Sequence, residues 1–311
     1  MKTTAVQPAD LARSVLAVPP LARRADLTLD PEANRALIRH LEAGGVTTLL
    51  YGGNANLYNL GLAGFAELLD LLAEAAAPDS WAIPSVGPDY GRLMDQLPVL
   101  CEHERFPTVM VLPLGFPATP EGVATGLRRF AEAYGRPVIL YVKNEAYLTA
   151  ELVGSLEADG LLCAVKYAVV RDDPGEDRLL AGILERVDPA KVVSGIGERP
   201  AIAHLRRFGL AGFTSGSVCL APRSSTALLH ALKKGDFAAA EEIRARFLPL
   251  EDLRDAISPL RVLHDAVTLS GVADMGPILP MLSNLSEAER ARVAPAARAL
   301  AALDAGLADA A

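Results

Sequence analysis

The chain has 311 residues, of which 51% are hydrophobic and 22% charged, and its formal net charge at pH 7 is −8. This composition supplies enough apolar side chain for a large core, which excludes an intrinsically disordered chain. The acidic balance, without any cluster of basic residues, gives no reason to expect a nucleic acid partner.

The cysteines and the apolar segments indicate the compartment. Cys101, Cys163 and Cys219 lie far apart and form no CxxC motif, which suits reduced thiols better than a disulfide framework. The first fifteen residues lack the continuous apolar segment of a signal peptide, and no uncharged apolar stretch is long enough to span a bilayer. We therefore expect a soluble, cytoplasmic protein with no membrane partner.

Eight short runs rich in apolar and β-branched residues follow one another along the chain. They are SVLAV (14–18), VTTLLY (46–51), WAIPSVG (81–87), FPTVMVLP (106–113), RPVILY (136–141), LLCAVKYAVV (161–170), KVVSG (191–195) and AGFTSGS (211–217). The segments between them have helical apolar spacing, and strands that alternate with helices predict βα units and a parallel sheet. The runs are mostly apolar, as expected for strands covered on both faces.

The number of units decides between two α/β architectures. Eight βα units predict a (β/α)8 TIM barrel over residues 1–223. A doubly wound sheet is the competitor, but no GxGxxG motif opens the first helix. Beyond residue 223 the strand signals stop, and Ala- and Leu-rich amphipathic segments predict a C-terminal helical extension, 224–311, packed on the barrel. Its apolar stripe needs a surface to cover it, which is one reason to expect a homo-oligomer.

Lys166 is the most unusual residue of the sequence. It lies inside the apolar run LLCAVKYAVV, and burial of an unpaired ammonium group is costly. Burial favours the neutral amine, which can attack a ketone to form a Schiff base. The alternative is a structural lysine that either snorkels to solvent or is ion-paired with Glu145 or Asp172. Both interpretations remain open from the residues alone.

Polar residues and glycines at the ends of the predicted strands are the other candidates, because barrel enzymes place their sites there. Tyr141 could move protons or could be a core tyrosine, and alternation puts Lys143 on the same face. The candidate substrate-binding residues are Gly52, Gly53, Asn54, Asn56, Lys143, Ser194, Gly195, Ser215 and Ser217. The last four follow strands seven and eight, where barrels often bind phosphate. The five histidines are scattered without metal-ligand spacing, so we expect neither a metal site nor a cofactor.

Several segments resemble the dihydrodipicolinate synthase / N-acetylneuraminate lyase family of Schiff-base-forming barrel enzymes. "RPVILY", followed by "AVKYA", resembles the family pair PVILYN…GIKEA, which supplies its tyrosine and lysine. "VTTLLYGGNANLYNL" and "GLAGFTSGSVCLAP" resemble the family's second- and eighth-strand segments. The resemblance covers essentially the whole chain. It implies that Lys166 is the Schiff-base nucleophile, that Tyr141 is the proton shuttle, and that the protein is a dimer or tetramer.

Departures from the family pattern bear on the substrate. The Thr-Thr pair that grips the keto-acid carboxylate reads Gly53-Asn54 here, and the relay tyrosine of the synthases reads Gly115. The arginine that holds the second substrate's carboxylate falls at Ala146. "YVKNEAYLT" is instead similar to the YNRDNAVLT segment of the 5-dehydro-4-deoxyglucarate dehydratase branch.

The sequence therefore predicts a lyase or hydro-lyase that acts on a 2-keto acid, such as a 2-keto-3-deoxy sugar acid, through an imine at Lys166. Its partner is this small-molecule substrate. Three alternatives stay open: dihydrodipicolinate synthase itself, a phosphosugar aldolase or isomerase, and a barrel that binds a ligand without turnover. Lys143 could compensate for the missing arginine, unless Glu145 holds it in a salt bridge.

Overall fold

The computed structural model describes residues 1–308, and each of the eight apolar runs forms a strand in it. The strands are β1 (Leu16–Ala17), β2 (Thr48–Tyr51), β3 (Trp81–Val86), β4 (Met110–Val111), β5 (Val138–Val142), β6 (Leu162–Tyr167), β7 (Val192–Ser194) and β8 (Gly212–Ser215). They close into a barrel in chain order. β1 pairs with β2 in parallel, and so does each neighbouring pair from β3 to β8. The predicted TIM barrel is confirmed.

Helices connect the strands and form the C-terminal region. They are α1 (Pro8–Arg13), α2 (Pro31–Ala43), α3 (Leu62–Ala75), α4 (Tyr90–Glu102), α5 (Pro120–Tyr134), α6 (Ala150–Ala158), α7 (Arg178–Leu184), α8 (Ala201–Phe208), α9 (Pro222–Lys234), α10 (Phe237–Ala245), α11 (Leu248–Ile257), α12 (Pro259–Ser270) and α13 (Glu287–Ala308). Side-chain oxygens of Asp30, Thr119, Thr149 and Asp177 accept hydrogen bonds from first-turn N–H groups of α2, α5, α6 and α7. These caps fix where the helices begin.

Two compact units divide the chain. One contains Ser14–Ala82 and Ser215–Ala311 together with Met1, and it carries β1, β2 and the C-terminal helices. The other contains Lys2–Arg13 and Ile83–Thr214, and it carries β4 to β7 with most of β3 and β8. The predicted domain boundary at residue 223 stays a prediction, and residues 309–311 of the predicted extension lie outside the described residues.

The C-terminal helices bury the apolar stripe of the predicted extension within the same chain. Val293, Ala297 and Leu300 of α13 are buried, and α13 packs against α9, α11 and α12 of the same chain. The tail therefore does not need a second subunit to cover it. No helix among residues 1–308 is long and apolar enough to cross a membrane.

Candidate active site

The register between β5 and β6 brings Tyr141 and Lys166 together. The two residues lie opposite each other in the parallel ladder, and both strands are buried along their whole length. In-register neighbours point to the same side of a sheet. The Lys166 Nζ atom consequently lies over the Tyr141 ring, 4.1 Å from its centroid.

Burial determines the protonation of Lys166. Only 4% of its surface is exposed, and no carboxylate among residues 1–308 forms an ion pair with it. Desolvation, together with the positive charge of Lys143, lowers the pKa of Lys166 to about 7. A substantial fraction of the side chain is therefore a neutral amine at neutral pH, which is the form that attacks a carbonyl carbon.

The carboxylates proposed as structural partners of Lys166 are occupied elsewhere or exposed. Glu145 accepts two hydrogen bonds from Arg171, with N–O distances of 3.0 and 3.1 Å. Asp172 is exposed to solvent. The alternative of an ion-paired structural lysine therefore has no support in the geometry.

Arg171 belongs to a hydrogen-bonded network behind the lysine. Tyr167, the residue after Lys166, points to the opposite side of β6, where its hydroxyl donates to Asp177 at 2.6 Å. Arg171 binds the same carboxylate through two N–H groups, at 2.9 and 3.1 Å. Burial alone would raise the pKa of Asp177, but the hydrogen bonds from Arg171, Tyr167 and the Leu180 N–H lower it.

This network fixes the loop that follows β6. It joins the end of the strand to the first turn of α7 through Asp177 and to the loop after β5 through Glu145. Sequence reasoning missed the two ion pairs of Arg171. It also missed Asp177, whose only sequence signal is its position three residues before Leu180 at the start of a helix.

Lys143 lies immediately after β5, two residues beyond Tyr141. Its side chain is exposed and forms no ion pair or hydrogen bond within the described chain. Desolvation nevertheless lowers the pKa of its ammonium group, and its charge acts on Lys166. The alternative in which Glu145 holds Lys143 in a salt bridge is not observed, because the Glu145 carboxylate pairs with Arg171.

The serines at the ends of β7 and β8 bond to the protein. Ser194 is in register with Tyr167, and its Oγ pairs with His204 Nδ1 of α8 at 2.8 Å. Burial lowers the pKa of His204 to about 4, so this imidazole is neutral at pH 7. Gly195 is required at its position, because a Cβ there would lie 2.7 Å from the Tyr167 carbonyl oxygen.

In the other unit, Ser215 Oγ accepts a hydrogen bond from the Val218 N–H at 2.9 Å. Ser217 is buried, and its Oγ finds no partner within residues 1–308. The predicted substrate contacts of the four strand-seven and strand-eight residues remain predictions.

The segment after β2 is also held by the protein itself. Asn54 Nδ2 donates to the Val18 carbonyl at 2.9 Å. Asn56 adopts a left-handed backbone conformation (φ 53°), and its Oδ1 accepts from Asn59 Nδ2 at 2.8 Å. Gly52 and Gly53 form the turn that leads into this segment. The carboxylate-binding role predicted for these residues remains a prediction.

A separate apolar pocket of about 520 Å³ lies beneath the loop that follows β4. Its walls come from that loop, from the loops after β3 and β5, and from α4 and α5, and they contain no charged residue. Neither Tyr141 nor Lys166 lines it. Phe116 lines the pocket and is 87% exposed. Within the described residues, no group of three or more His, Cys, Asp or Glu side chains could hold a metal ion.

Comparison with solved structures supports the fold. Dihydrodipicolinate synthase from Bacillus clausii aligns with a TM-score of 0.82 at 21% identity, covering 93% of this chain and 98% of the other. The synthase from Agrobacterium tumefaciens C58 aligns with a TM-score of 0.80 at 19% identity, covering 94% of this chain and 100% of the other. A prophage protein of the dihydrodipicolinic acid synthase family from E. coli K12 was solved in complex with pyruvate. It aligns with a TM-score of 0.76 at 21% identity, covering 92% of this chain and 98% of the other. A search of curated proteins finds no match to the sequence.

The closed barrel and the family model together define a (β/α)8-barrel enzyme of the lyase class. The model of the dihydrodipicolinate synthetase family matches residues 107–300, which include both Tyr141 and Lys166. The chain belongs to this family.

Proposed function

We propose that the protein is a lyase that forms a Schiff base between Lys166 and a 2-keto acid. The observation that carries this proposal is the buried Lys166 amine, which has no ion-pair partner within residues 1–308 and lies 4.1 Å from the centroid of the Tyr141 ring. A purely structural role gives no reason to place a lysine there, since an apolar residue would avoid the desolvation cost.

The reaction begins when the neutral amine attacks the keto carbon and the resulting carbinolamine loses water to give an iminium ion. The iminium then accepts the electron pair of a bond to C3, the carbon next to the imine carbon C2. In aldol cleavage this is the C3–C4 bond. In dehydration it is the C3–H bond, and hydroxide then leaves from C4. Tyr141 transfers protons to and from the substrate oxygens during these steps. Hydrolysis of the imine releases the product and restores Lys166.

The family supports a keto acid as the ligand. The E. coli K12 relative was solved in complex with pyruvate, the simplest 2-keto acid. Two features of this chain disfavour dihydrodipicolinate as its product. Ala146 and Gly115 are both exposed and supply neither the cation nor the hydroxyl that the resembling synthases have at these positions.

The test is a turnover panel that compares 2-keto-3-deoxy sugar acids with pyruvate plus aspartate semialdehyde. Release of pyruvate identifies cleavage, and loss of one water without pyruvate identifies dehydration. We expect activity on at least one sugar acid, abolished in Lys166→Met. Synthase activity with kcat/KM above about 10⁴ M⁻¹s⁻¹ and no sugar-acid turnover would contradict the assignment of substrate.

A further inference from the structure

Arg23, in the β1–α2 loop (residues 18–30), is a buried arginine without a counter-ion. Only 6% of its surface is exposed, and its Nη1 atom donates to the Leu27 carbonyl at 3.0 Å. Its Nη2 atom is buried and has no hydrogen-bond acceptor within residues 1–308. Removing a guanidinium group from water without pairing it is costly, so an anion at Nη2 would offset a cost that the described chain leaves uncompensated.

The acidic residues around Arg23 do not supply that anion. Burial lowers the pKa of Arg23, and the charge of Glu67 opposes this effect, but Glu67 is exposed and forms no ion pair with Arg23. Asp265 of α12 pairs with Arg290 at 3.2 Å. Asp274, in the α12–α13 segment (residues 271–286), is exposed and accepts a backbone N–H of its own segment.

A small cavity lies beside Arg23. Its volume is about 10 Å³, which is room for one water-sized particle. Asn54, Asn56 and His264 line it together with Arg23, and its remaining walls are apolar side chains. None of the described residues that line it is acidic. The cavity therefore offers a cation and neutral polar groups to whatever it holds.

Backbone contacts hold Arg23 in place against the α12–α13 segment. The Arg23 N–H donates to the Met275 carbonyl at 3.0 Å. Gly276, whose φ is 62°, lies so close to the Arg23 carbonyl that a Cβ would overlap it. His264 Nε2 donates to the Gly276 carbonyl at 2.9 Å, which ties α12 to the same point. The cavity is consequently a fixed feature of the fold.

The two asparagines can complete a ligand shell. Each side-chain amide nitrogen carries two N–H groups. Asn54 Nδ2 donates to the Val18 carbonyl at 2.9 Å, and Asn56 Nδ2 makes a long bond of 3.4 Å to the Leu279 carbonyl. Each amide therefore retains a second N–H for an acceptor in the cavity.

We propose that this cavity binds a single-atom monovalent anion, chloride or another halide, paired with the Arg23 guanidinium. A water molecule accepts the same hydrogen bonds but leaves the buried charge uncompensated, whereas a halide supplies both the acceptor and the charge. A carboxylate or a phosphate exceeds the volume. The bound ion would join the β1–α2 loop, the segment after β2 and the α12–α13 segment, so it should stabilise the fold independently of any chemistry at Lys166.

The first experiment measures thermal unfolding of the full-length protein in sodium chloride and in sodium gluconate at equal concentration, so that screening is the same. We expect chloride at about 0.2 M to raise the melting temperature of the wild type over gluconate by about 2–4 °C, because a ligand that binds only the folded state stabilises it. Arg23→Met should lose this difference. Arg24→Met, which removes the neighbouring, exposed arginine, is the matched control and should keep it.

The second experiment locates the ion in crystals of the wild type grown in sodium bromide, and it decides the question even if Arg23→Met does not fold. We expect an anomalous bromide peak in contact with Arg23 Nη2. A peak with equal chloride shifts in the wild type and Arg23→Met would mean an adventitious ion only and would overturn the proposal. Absence of a peak at Nη2 would overturn it as well, since a water molecule would then fill the cavity.

Discussion

At the scale of single residues, Lys166 places opposite demands on stability and on chemistry. Its folded-state pKa of about 7 lies below the ordinary value of 10.5. Between these two values the unfolded chain binds more protons than the folded one, so the stability of the wild type rises with pH in this window. The destabilisation caused by burying the Lys166 ammonium is fully present below about pH 7 and disappears above 10.5.

Replacing Lys166 with Met should therefore stabilise the protein at pH 7. The gain is about 4 kcal/mol, since each pKa unit corresponds to about 1.4 kcal/mol, and it should shrink to a few tenths near pH 10.5. Denaturant unfolding of both proteins at several pH values measures the difference. A gain that does not change with pH would show that the lysine is not desolvated in the folded state.

Tyr141 contributes at the same scale through its hydroxyl group. Tyr141→Phe keeps the ring over which Lys166 Nζ lies and removes only the proton-transfer group. Turnover should fall about 10²- to 10⁴-fold, the usual range for a general acid–base residue, while trapping of a keto acid on Lys166 persists. A change of less than about three-fold, with unaltered thermal unfolding, would assign the hydroxyl a structural role.

At the scale of elements, the loop between β6 and α7 depends on one arginine that has two unequal partners. The side chain of Asp177 is fully buried, whereas that of Glu145 is 64% exposed. Asp177 also accepts bonds from the Tyr167 hydroxyl and the Leu180 N–H. The buried carboxylate therefore carries most of the stabilisation of the loop.

Asp177→Asn should lower the free energy of unfolding by about 2 kcal/mol, because a charged, hydrogen-bonded and buried group is lost. Glu145→Gln is the matched control at the exposed end of Arg171, and its stability should not change measurably. Hydrogen exchange should show the segment from Ala168 to Asp177 opening faster in Asp177→Asn alone. Equal effects of both substitutions would refute this division of roles.

The elements themselves were predictable from the sequence, because buried parallel strands leave long apolar runs that do not depend on distant residues. The directions of side chains at strand ends were not. Ser194 lies at the end of a predicted strand, as the other candidate substrate-binding residues do. Its register with Tyr167, however, directs its side chain to His204 on α8. Register depends on the pairing of strands far apart in sequence, as does the Arg171 network, and no local pattern specifies either.

At the scale of the whole molecule, the surface near β4 is the strongest reason to expect association. Phe116 is 87% exposed beside a pocket whose lining carries no charge. Exposed apolar surface of this kind often marks an interaction site. We expect a homo-oligomer in which a second copy covers this surface.

Light scattering at micromolar concentration should therefore give a multiple of 32.8 kDa. Phe116→Asp should shift the mass toward that of the monomer. Met281→Asp is the control, because Met281 is also exposed, at 88%, but does not line the pocket. A wild-type mass of 32.8 kDa would exclude a stable oligomer under these conditions.

The most direct test of the central claim is to locate the covalent adduct. The protein is incubated with pyruvate and cyanoborohydride, digested, and mapped by tandem mass spectrometry, with Lys166→Ala and Lys143→Met in parallel. We expect a single adduct on Lys166, absent from Lys166→Ala and retained in Lys143→Met, with a trapping rate that rises as pH passes through about 7. An adduct on Lys143, or no adduct with any 2-keto acid tried, would contradict the account.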